Sequence, residues 1–171
     1  LGHTEGICHV YVDADADLEM AEDVAFDAKV QYPAVCNAVE TLLVHESVAD
    51  EFLPDLVARY EESGVELRGD ERTREVVDVD PATDDDWDTE YGDLELSIKV
   101  VGDAYAAIEH VNEHGSKHTE SILTEDPETA ETFMTGVDAA SVFHNASTRF
   151  ADGYRYGLGA EVGISTGKIH A

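Results

Sequence analysis

The sequence predicts an α/β domain in which helices flank a largely parallel sheet. Short apolar runs rich in β-branched residues alternate with longer segments whose apolar residues recur at helical spacing. Strands that alternate with helices form parallel sheets, because each helix returns the chain to the start of the next strand. A length of 171 residues and a hydrophobic fraction of 43% suit one folded domain with a buried core.

The elements follow in order from apolar runs and end signals. Strands are predicted at residues 7–12, 41–45, 65–67, 94–101, 121–123 and 140–144. Helices are predicted at 17–29, 48–63, 103–114 and 127–135. Asp17 and Asp126 are suitable N-caps, Pro127 fits the first helical position, and Gly64 closes the second helix. Residues 71–77 are predicted as a short helix or strand, and the acidic residues 80–93 as a loop insertion.

The net charge is extreme for a folded protein. The chain has 39 acidic and 10 basic residues, which gives a formal net charge of -29. No basic patch is present to neutralise phosphates, so we expect no nucleic-acid partner. The acidic residues are spread over segments that also show apolar periodicity. They therefore predict a folded domain with an acidic surface, as in the proteins of halophilic organisms.

The two cysteines, Cys8 and Cys36, predict reduced thiols and a cytoplasmic location. No apolar run approaches the length needed to span a membrane, and no leader precedes the first strand, so we expect no membrane association. The chain lacks an initiator Met and stops without a closing element. We interpret it as a piece of a longer polypeptide.

Cys36 lies where a helix gives way to a strand. A helical pattern ends at Gln31, Pro33 interrupts it, and an apolar strand begins near Thr41. A thiol on such a connection can face a cleft, whereas a cysteine kept for packing lies more naturally inside an element. Cys8, in mid-strand, is interpreted as such a core residue. From the residues alone, Cys36 is either a catalytic nucleophile or a buried thiol at a helix end.

Two other patterns do not predict sites. Glycines at 157, 159 and 163 resemble a dinucleotide-binding loop, but the third comes one position late and the strand–turn–helix context is missing. His110, His114 and His118 are spaced by four, yet Gly115 interrupts the helix and no further ligand completes a metal site. We interpret these histidines as solvent-facing and expect no metal.

Four segments of the chain are long enough to compare with known families. They are GICHVYVD at 6–13, VCNAVETLLVH at 35–45, the stretch 138–150 that ends in NASTRF, and GLGAEVGISTGKIHA at 157–171. The chain resembles the glutamate-5-semialdehyde dehydrogenases, also called γ-glutamyl phosphate reductases, of the aldehyde dehydrogenase superfamily. The resemblance extends from Gly6 to Ala171, and the last two segments are the most specific.

This resemblance implies an aldehyde dehydrogenase-like catalytic domain over residues 1–171. The family's nucleotide-binding domain would precede this segment and a short tail would follow it, so both would be absent from the chain. For the complete enzyme the resemblance implies a homo-oligomer, with glutamate 5-kinase as a partner. The fragment alone is expected to be inactive, because it lacks the cofactor domain.

The resemblance also implies the chemistry, which is the second step of proline biosynthesis. Cys36 would attack the acyl carbon of L-glutamyl 5-phosphate and expel phosphate. Hydride from NADPH would then reduce the thioester to L-glutamate 5-semialdehyde. The main-chain N–H of Cys36, together with Asn37, would donate to the developing oxyanion.

A substrate loop is implied after the last strand, where ligands also bind on parallel sheets. Its residues are Asn145, Ser147, Thr148 and Arg149. The Arg149 guanidinium suits bidentate capture of a carboxylate or phosphate. The alternative for Arg149 is a surface ion pair, for which so acidic a chain offers many partners.

The resemblance concerns two further positions. One would contact the cofactor NADP(H), and the other corresponds to a residue that activates water in related enzymes. Glu90, in a Glu-Tyr-Gly segment, resembles an acid that contacts the nicotinamide ribose. Hydrolytic members of the superfamily carry a water-activating glutamate just before the first strand of this domain. The roughly matching position here is Gly2, with Glu5 out of register. An acyl-phosphate reductase does not need that base.

Two alternative functions remain open. Another cysteine enzyme, an acyl transferase or hydrolase, would use Cys36 with His45 or His144 and would need no nicotinamide. A non-catalytic module would serve only as a folded domain or an assembly interface.

Overall fold

The computed structural model describes residues 6–152, which fold into strands and helices that alternate along the chain. The strands are β1 Cys8–Val12, β2 Val39–His45, β3 Glu66–Gly69, β4 Asp80–Pro81, β5 Glu95–Val101, β6 Thr119–Leu123 and β7 Ser141–His144. The α-helices are α1 Leu18–Val30, α2 Glu46–Glu62, α3 Glu71–Val76, α4 Ala104–His114 and α5 Pro127–Gly136. The glycine segment 157–163, the motif 157–171, Gly2 and Glu5 lie outside the described residues.

These strands form one 7-stranded sheet in the order β4-β3-β5-β2-β1-β6-β7. Every pair is parallel. The interior strand β1 is buried along its whole length, and the central strand β2 is buried up to its last residue. This explains why both are continuous apolar runs, since helices cover both faces of a parallel sheet. The predicted α/β class is confirmed.

The two faces of the sheet support separate halves of the core. Because side chains alternate along a strand, Val10 and Leu42 face the layer of α1 and α2, whereas Tyr11 and Leu43 face that of α4 and α5. On the second face the ring of Tyr11 stacks on Phe133 with centroids 5.8 Å apart. Among the described helices, none is long and apolar enough to cross a membrane.

Aspartate side chains begin several of the helices. Asp17 accepts a hydrogen bond from the Met20 N–H of α1 at 3.1 Å. Asp126 accepts one from the Thr129 N–H of α5 at 3.0 Å, with Pro127 at the helix start as predicted. Each such cap contributes about 0.5–2 kcal/mol. Some of the acidic residues therefore stabilise the starts of helices, in addition to giving the surface its negative charge.

The acidic stretch 80–93 is not the simple loop that the sequence predicts. Its start adds β4 to the sheet edge, and Asp84–Asp88 forms a short 3₁₀ helix. That helix buries Trp87, whose ring lies edge-on to His110 with centroids 5.5 Å apart. The Nζ of Lys99 lies 5.2 Å from the centre of the same ring. Long-range packing of one aromatic side chain orders a segment whose composition indicates a loop.

We expect stability to rise steeply with salt. Five basic residues of the described range already form ion pairs, in the bridges Lys29–Glu40, Arg59–Glu22, Arg68–Glu95, Arg72–Glu46 and Lys117–Asp138. A net charge of -29 leaves most other carboxylates to repel one another. Salt screens this repulsion, so the Tm should increase between dilute buffer and molar KCl. Thermal melts with a Tm independent of KCl would contradict the prediction.

Candidate active site

Cys36 lies in the turn that joins α1 to β2. The Ala38 N–H donates to the Val35 carbonyl at 2.9 Å and closes the turn around Cys36. The Cys36 side chain is exposed and in no disulfide, while Asn37 next to it is buried. The predicted helix-to-strand placement is confirmed. The exposed side chain meets the requirement of a reactive thiol for access.

Gly6 packs against the back of this turn. A Cβ atom at Gly6 would lie 2.4 Å from the Cys36 carbonyl oxygen and 3.0 Å from both Cα and Cβ of Cys36. Any side chain larger than a hydrogen would therefore displace the turn. Glycine at this position lets the chain before β1 approach the backbone of Cys36 closely.

Cys8 supports the same turn from inside the sheet. Its fully buried thiol donates to the Cys36 carbonyl oxygen, with an Sγ to O distance of 3.3 Å. Burial, followed by the negative charge of Glu120, raises the pKa of the Cys8 thiol well above its usual value. The thiol therefore stays protonated and able to donate. Cys8 is buried as predicted, and it also holds the turn that carries Cys36.

Asn37 connects this turn to residues 145–152, which we call the return segment. The Asn37 Nδ2 donates to the Ala151 carbonyl at 2.9 Å, although the two residues are 114 positions apart. The Oδ1 of Asn37 is buried and has no hydrogen-bond partner among the described residues. Residues predicted to act on the substrate carbonyl thus adjoin the predicted substrate loop. The oxyanion contact of Asn37 itself stays a prediction.

The return segment runs from the carboxyl ends of the strands to their amino ends, which we call the two edges of the sheet. It leaves β7 at Asn145, at the carboxyl ends of the strands. Next, the Ala146 carbonyl accepts a hydrogen bond from Ser121 Oγ in the middle of β6, at 2.6 Å. It then reaches the amino ends, where Ala151 meets Asn37. Its two ends therefore lie at opposite edges of the sheet.

Asn145 is not brought together with Cys36. Its φ is 53°, in the left-handed region that asparagine tolerates better than most residues. Its Oδ1 accepts from the Thr124 N–H at 2.9 Å, and its Nδ2 donates to Glu125 at 3.0 Å. The amide of Asn145 thus fixes the start of the return segment at the far edge. Its predicted contact with substrate stays a prediction.

Ser147, Thr148 and Arg149 are buried in the return segment. Ser147 Oγ accepts from the Arg149 N–H at 3.2 Å. Among the described residues, Thr148 Oγ1 and the Nε and Nη1 of Arg149 have no hydrogen-bond partner. Arg149 is only 9% exposed, which excludes the surface ion pair considered for it. A buried guanidinium without a counter-ion is unfavourable, and an anion would supply the missing acceptors.

Glu90 lies at the same edge of the sheet as Cys36. It precedes β5 and is half-buried. Burial raises the pKa of the Glu40 carboxyl, and the nearby charge of Glu90 adds to that rise. Two residues further on, the Gly92 N–H donates to Glu40 Oε1 at 3.2 Å. The segment that contains Glu90 therefore contacts the start of β2, close to the turn that carries Cys36. Its predicted contact with the cofactor stays a prediction.

A buried ion pair lies beneath these segments, and the sequence analysis missed it. Lys29 Nζ contacts Glu40 Oε2 at 2.7 Å, with side-chain exposures of 0% and 1%. Burial lowers the pKa of Lys29 and raises that of Glu40, and the attraction between the two groups opposes both shifts. A signal was present: Lys29 follows Ala21 and Ala25 at four-residue spacing on the buried face of α1.

The prediction that the spaced histidines face solvent is wrong for His110 and His118, which are 5% and 2% exposed. The ring of His110 packs edge-on against both Trp87 and His9, with centroids 5.5 Å apart in each case. Lys99 Nζ lies 3.1 Å from His110 Nδ1. Over residues 6–152, no three His, Cys, Asp or Glu side chains are grouped so that they could hold a metal ion.

We expect the buried His110 to make stability depend on pH. Burial first, then the neighbouring His9, Lys99 and His114, lower its pKa from 6.5 to about 2. Between these values the unfolded chain binds a proton that the folded chain does not, so the free energy of unfolding falls as the pH drops below 6.5. This group contributes up to about 1.4 kcal/mol per pH unit. In urea titrations His110→Gln should reduce the acid slope; an unchanged slope would contradict this.

Neither histidine of the alternative cysteine enzyme reaches Cys36. His45 ends β2, and its Nδ1 accepts from the Ser47 N–H at 3.1 Å. His144 ends β7, with Nε2 2.8 Å from the Thr124 carbonyl. Cys36 precedes β2, whose 7 residues span about 20 Å. His45 and His144 thus lie at the carboxyl ends of their strands, away from Cys36, and the Cys–His pairs considered for the alternative enzyme do not form.

The sequence is similar to known proteins along its whole length. The model of the aldehyde dehydrogenase family matches residues 3–86. A gamma-glutamyl phosphate reductase of Natronomonas pharaonis is 72% identical over 173 residues, covering 100% of this chain and 40% of the relative. One of Haloquadratum walsbyi is 68% identical, with 100% and 39% covered. Both organisms are halophiles, which supports the prediction from surface charge that this chain is a halophilic protein. The chain spans about two-fifths of the length of these curated relatives.

The same relationship is evident in three dimensions. A crystal structure of gamma-glutamyl phosphate reductase from Thermotoga maritima is 54% identical and superposes with a TM-score of 0.94. The match covers 98% of this chain and 41% of that one. The parallel sheet, the order of its strands and the helices on both faces are therefore those of an aldehyde dehydrogenase-like fold. The chain belongs to the aldehyde dehydrogenase family, and it resembles the gamma-glutamyl phosphate reductases within it along its whole length.

Proposed function

We propose that this chain is the catalytic domain of an enzyme that reduces L-glutamyl 5-phosphate with NADPH to L-glutamate 5-semialdehyde and phosphate. The observation that carries the proposal is the hydrogen bond from Asn37 to Ala151. It joins the turn of the exposed Cys36 to the segment of the buried Arg149, whose Nε and Nη1 have no hydrogen-bond partner within residues 6–152. A nucleophile and an anion-binding group on joined segments suit a substrate that is both an acyl donor and an anion. Similarity to gamma-glutamyl phosphate reductases supports L-glutamyl 5-phosphate as that substrate.

In the proposed first step, the Cys36 thiolate attacks the acyl carbon of the substrate. A C–S bond forms, the C–O bond to phosphate breaks, and phosphate leaves with the electron pair of that bond. We assign the oxyanion contacts to the main-chain N–H of Cys36 and to the second N–H of the Asn37 amide, beyond the one given to Ala151. Each such donor is worth about 10²–10³ in rate.

NADPH, when bound, would supply the hydride for reduction of the thioester carbon. Glu90 suits one end of this cofactor, because its half-buried carboxylate can accept hydrogen bonds from ribose hydroxyls at the edge where Cys36 lies. Breaking the C–S bond then returns the Cys36 thiolate and releases the aldehyde. The Cys8 thiol supports the turn that carries Cys36 through its hydrogen bond to the Cys36 carbonyl, and Gly6 leaves room for that carbonyl.

Further features of the complete enzyme are proposed from its similarity to the family. They are a nucleotide-binding domain outside this chain, NADPH in preference to NADH, a homo-oligomer, glutamate 5-kinase as a partner and a cytoplasmic location. The coverage of about two-fifths of the relatives supports the first, since it leaves room for a further domain. By itself, the chain is proposed to be inactive.

The dependence on phosphate tests the reaction. With L-glutamate 5-semialdehyde and NADP⁺, the complete enzyme should reduce NADP⁺ only when inorganic phosphate is present, because phosphate is the acceptor that releases the acyl group from Cys36. NADPH formed at the same rate without phosphate would indicate hydrolysis and contradict the proposal. Turnover of the acyl phosphate that needs no nicotinamide would favour an acyl transferase or hydrolase instead.

Arg149→Lys in the complete enzyme is expected to raise the KM for the acyl phosphate about tenfold or more, with a smaller effect on kcat. Lysine keeps the charge but loses the planar fork that binds an anion through two parallel hydrogen bonds. Steady-state kinetics with Arg74→Lys as the control, a change at an exposed arginine, would measure the effect. An unchanged KM in Arg149→Lys would count against an anion-binding role.

A further inference from the structure

Stability alone does not explain the buried ion pair Lys29–Glu40. Both side chains are removed from water, in a contact of 2.7 Å. Replacing a buried ion pair with apolar residues of similar size is often neutral or stabilising, because desolvation of two charges offsets their attraction. The contacts of the pair with its neighbours therefore indicate what it does.

The two carboxylate oxygens of Glu40 accept hydrogen bonds from two different segments. Oε2 accepts from Lys29, while Oε1 accepts from the Gly92 N–H at 3.2 Å. Gly92 has φ 61°, in the left-handed region, and the chain bends at residues 93–94, which follow it. The hydroxyl of the preceding Tyr91 lies 2.7 Å from Ser97 Oγ in β5. The turn at residues 90–92 is thus held on one side by β5 and on the other by Glu40.

Glu40 also belongs to β2, the strand that follows the turn around Cys36, which we call the nucleophile turn. It is the second residue of β2, and Cys36 lies shortly before that strand, separated from it by Asn37 and Ala38. The packing of the buried strand fixes where Glu40 lies, and a short, hydrogen-bonded turn joins Glu40 to Cys36. Lys29 lies in the last turn of α1 and contacts Glu40 from that helix. The Gly92 hydrogen bond therefore sets the distance between the turn at residues 90–92 and Cys36.

We propose that Glu40 is a positioning residue that fixes the turn at residues 90–92, and with it Glu90, relative to Cys36, and that Lys29 balances the charge of the buried Glu40 carboxylate. The inference rests on the proposed function, because it assigns the nicotinamide end of the cofactor to this edge of the sheet. It adds the residues that align cofactor and nucleophile without touching either. An error of about 1 Å in such an alignment can lower the rate about 10²-fold.

Two double variants of the complete enzyme separate positioning from stability. K29M/E40Q and K29M/E40L both remove the buried ion pair, but only glutamine keeps an oxygen that can accept from the Gly92 N–H. We expect the KM for NADPH to stay within about threefold of wild type in K29M/E40Q and to rise about tenfold or more in K29M/E40L. In parallel, hydrogen exchange should show the Gly92 amide protected in wild type and K29M/E40Q and exposed in K29M/E40L.

Equal KM values and equal Gly92 protection in the two double variants would overturn the inference. If K29M/E40L does not fold, Tyr91→Phe loosens the same turn from the β5 side and should raise the KM for NADPH severalfold; an unchanged KM and unchanged Gly92 exchange would also overturn it. Failure of the proposed function has a different signature, namely a wild-type enzyme that does not oxidise NADPH with the acyl phosphate. The Gly92 exchange still tests the contact in that case.

Discussion

Replacing Cys36 with alanine in the complete enzyme is expected to lower kcat for reduction of the acyl phosphate by about 10⁴-fold or more. The thiolate is the only group assigned to form the covalent intermediate, and losses of this size are typical when a nucleophile is removed. The side chain is exposed on its turn, so the substitution removes no core contact and the Tm should hardly change. Stopped-flow measurement of NADPH consumption would follow the loss.

Cys8→Ala is the matched control, because it deletes the other thiol of the chain. Its side chain is buried and donates to the Cys36 carbonyl at 3.3 Å. We expect a lower Tm and a decrease in kcat of about tenfold at most, since only one weak hydrogen bond to the turn is lost. If Cys36→Ala keeps substantial activity while Cys8→Ala does not, the nucleophile has been assigned to the wrong cysteine.

Gly6→Ala is expected to lower kcat about 10²-fold, although it introduces a single methyl group outside the reacting atoms. The new Cβ would lie 2.4 Å from the Cys36 carbonyl oxygen, and that oxygen is backbone and cannot rotate away. The turn must move, and misplacement of a reacting group by about 1 Å costs about that factor. Slower alkylation of Cys36 by iodoacetamide would report the same displacement without any substrate.

Gly102→Ala provides the comparison for this substitution. No atom lies within 4 Å of a Cβ built at Gly102, which follows β5 at the opposite edge of the sheet. The same change of residue type should therefore leave kcat within about twofold. Equal activity in the two variants would show that the contact between Gly6 and the nucleophile turn does not matter.

Most of the fold was predictable because its signals are local. Strands such as β5 are apolar runs, and helices such as α5 carry their own caps, so a short window of sequence suffices to locate them. The turn of Cys36 was predictable for the same reason, since Pro33 ends one pattern before the next begins. These features do not depend on what the chain meets after folding.

The parts that were missed depend on contacts between distant segments. His110 is buried because Trp87 and His9 pack against it, and no spacing along the helix indicates those neighbours. Glu40 accepts from Gly92, 52 positions away. The carboxyl-end rule located the start of the loop after β7, but it describes loops that follow strands and gives no information about Cys36, which precedes one.

The return segment has a consequence for how the family can vary. Its first residue, Asn145, is tied to Thr124 and Glu125, and its end is tied through Ala151 to Asn37. Surface loops usually tolerate insertions because their ends are the only fixed points. Here an added or deleted residue would move Arg149 or pull Ala151 away from the nucleophile turn. The length of this connection is therefore constrained as tightly as the identity of an active-site side chain.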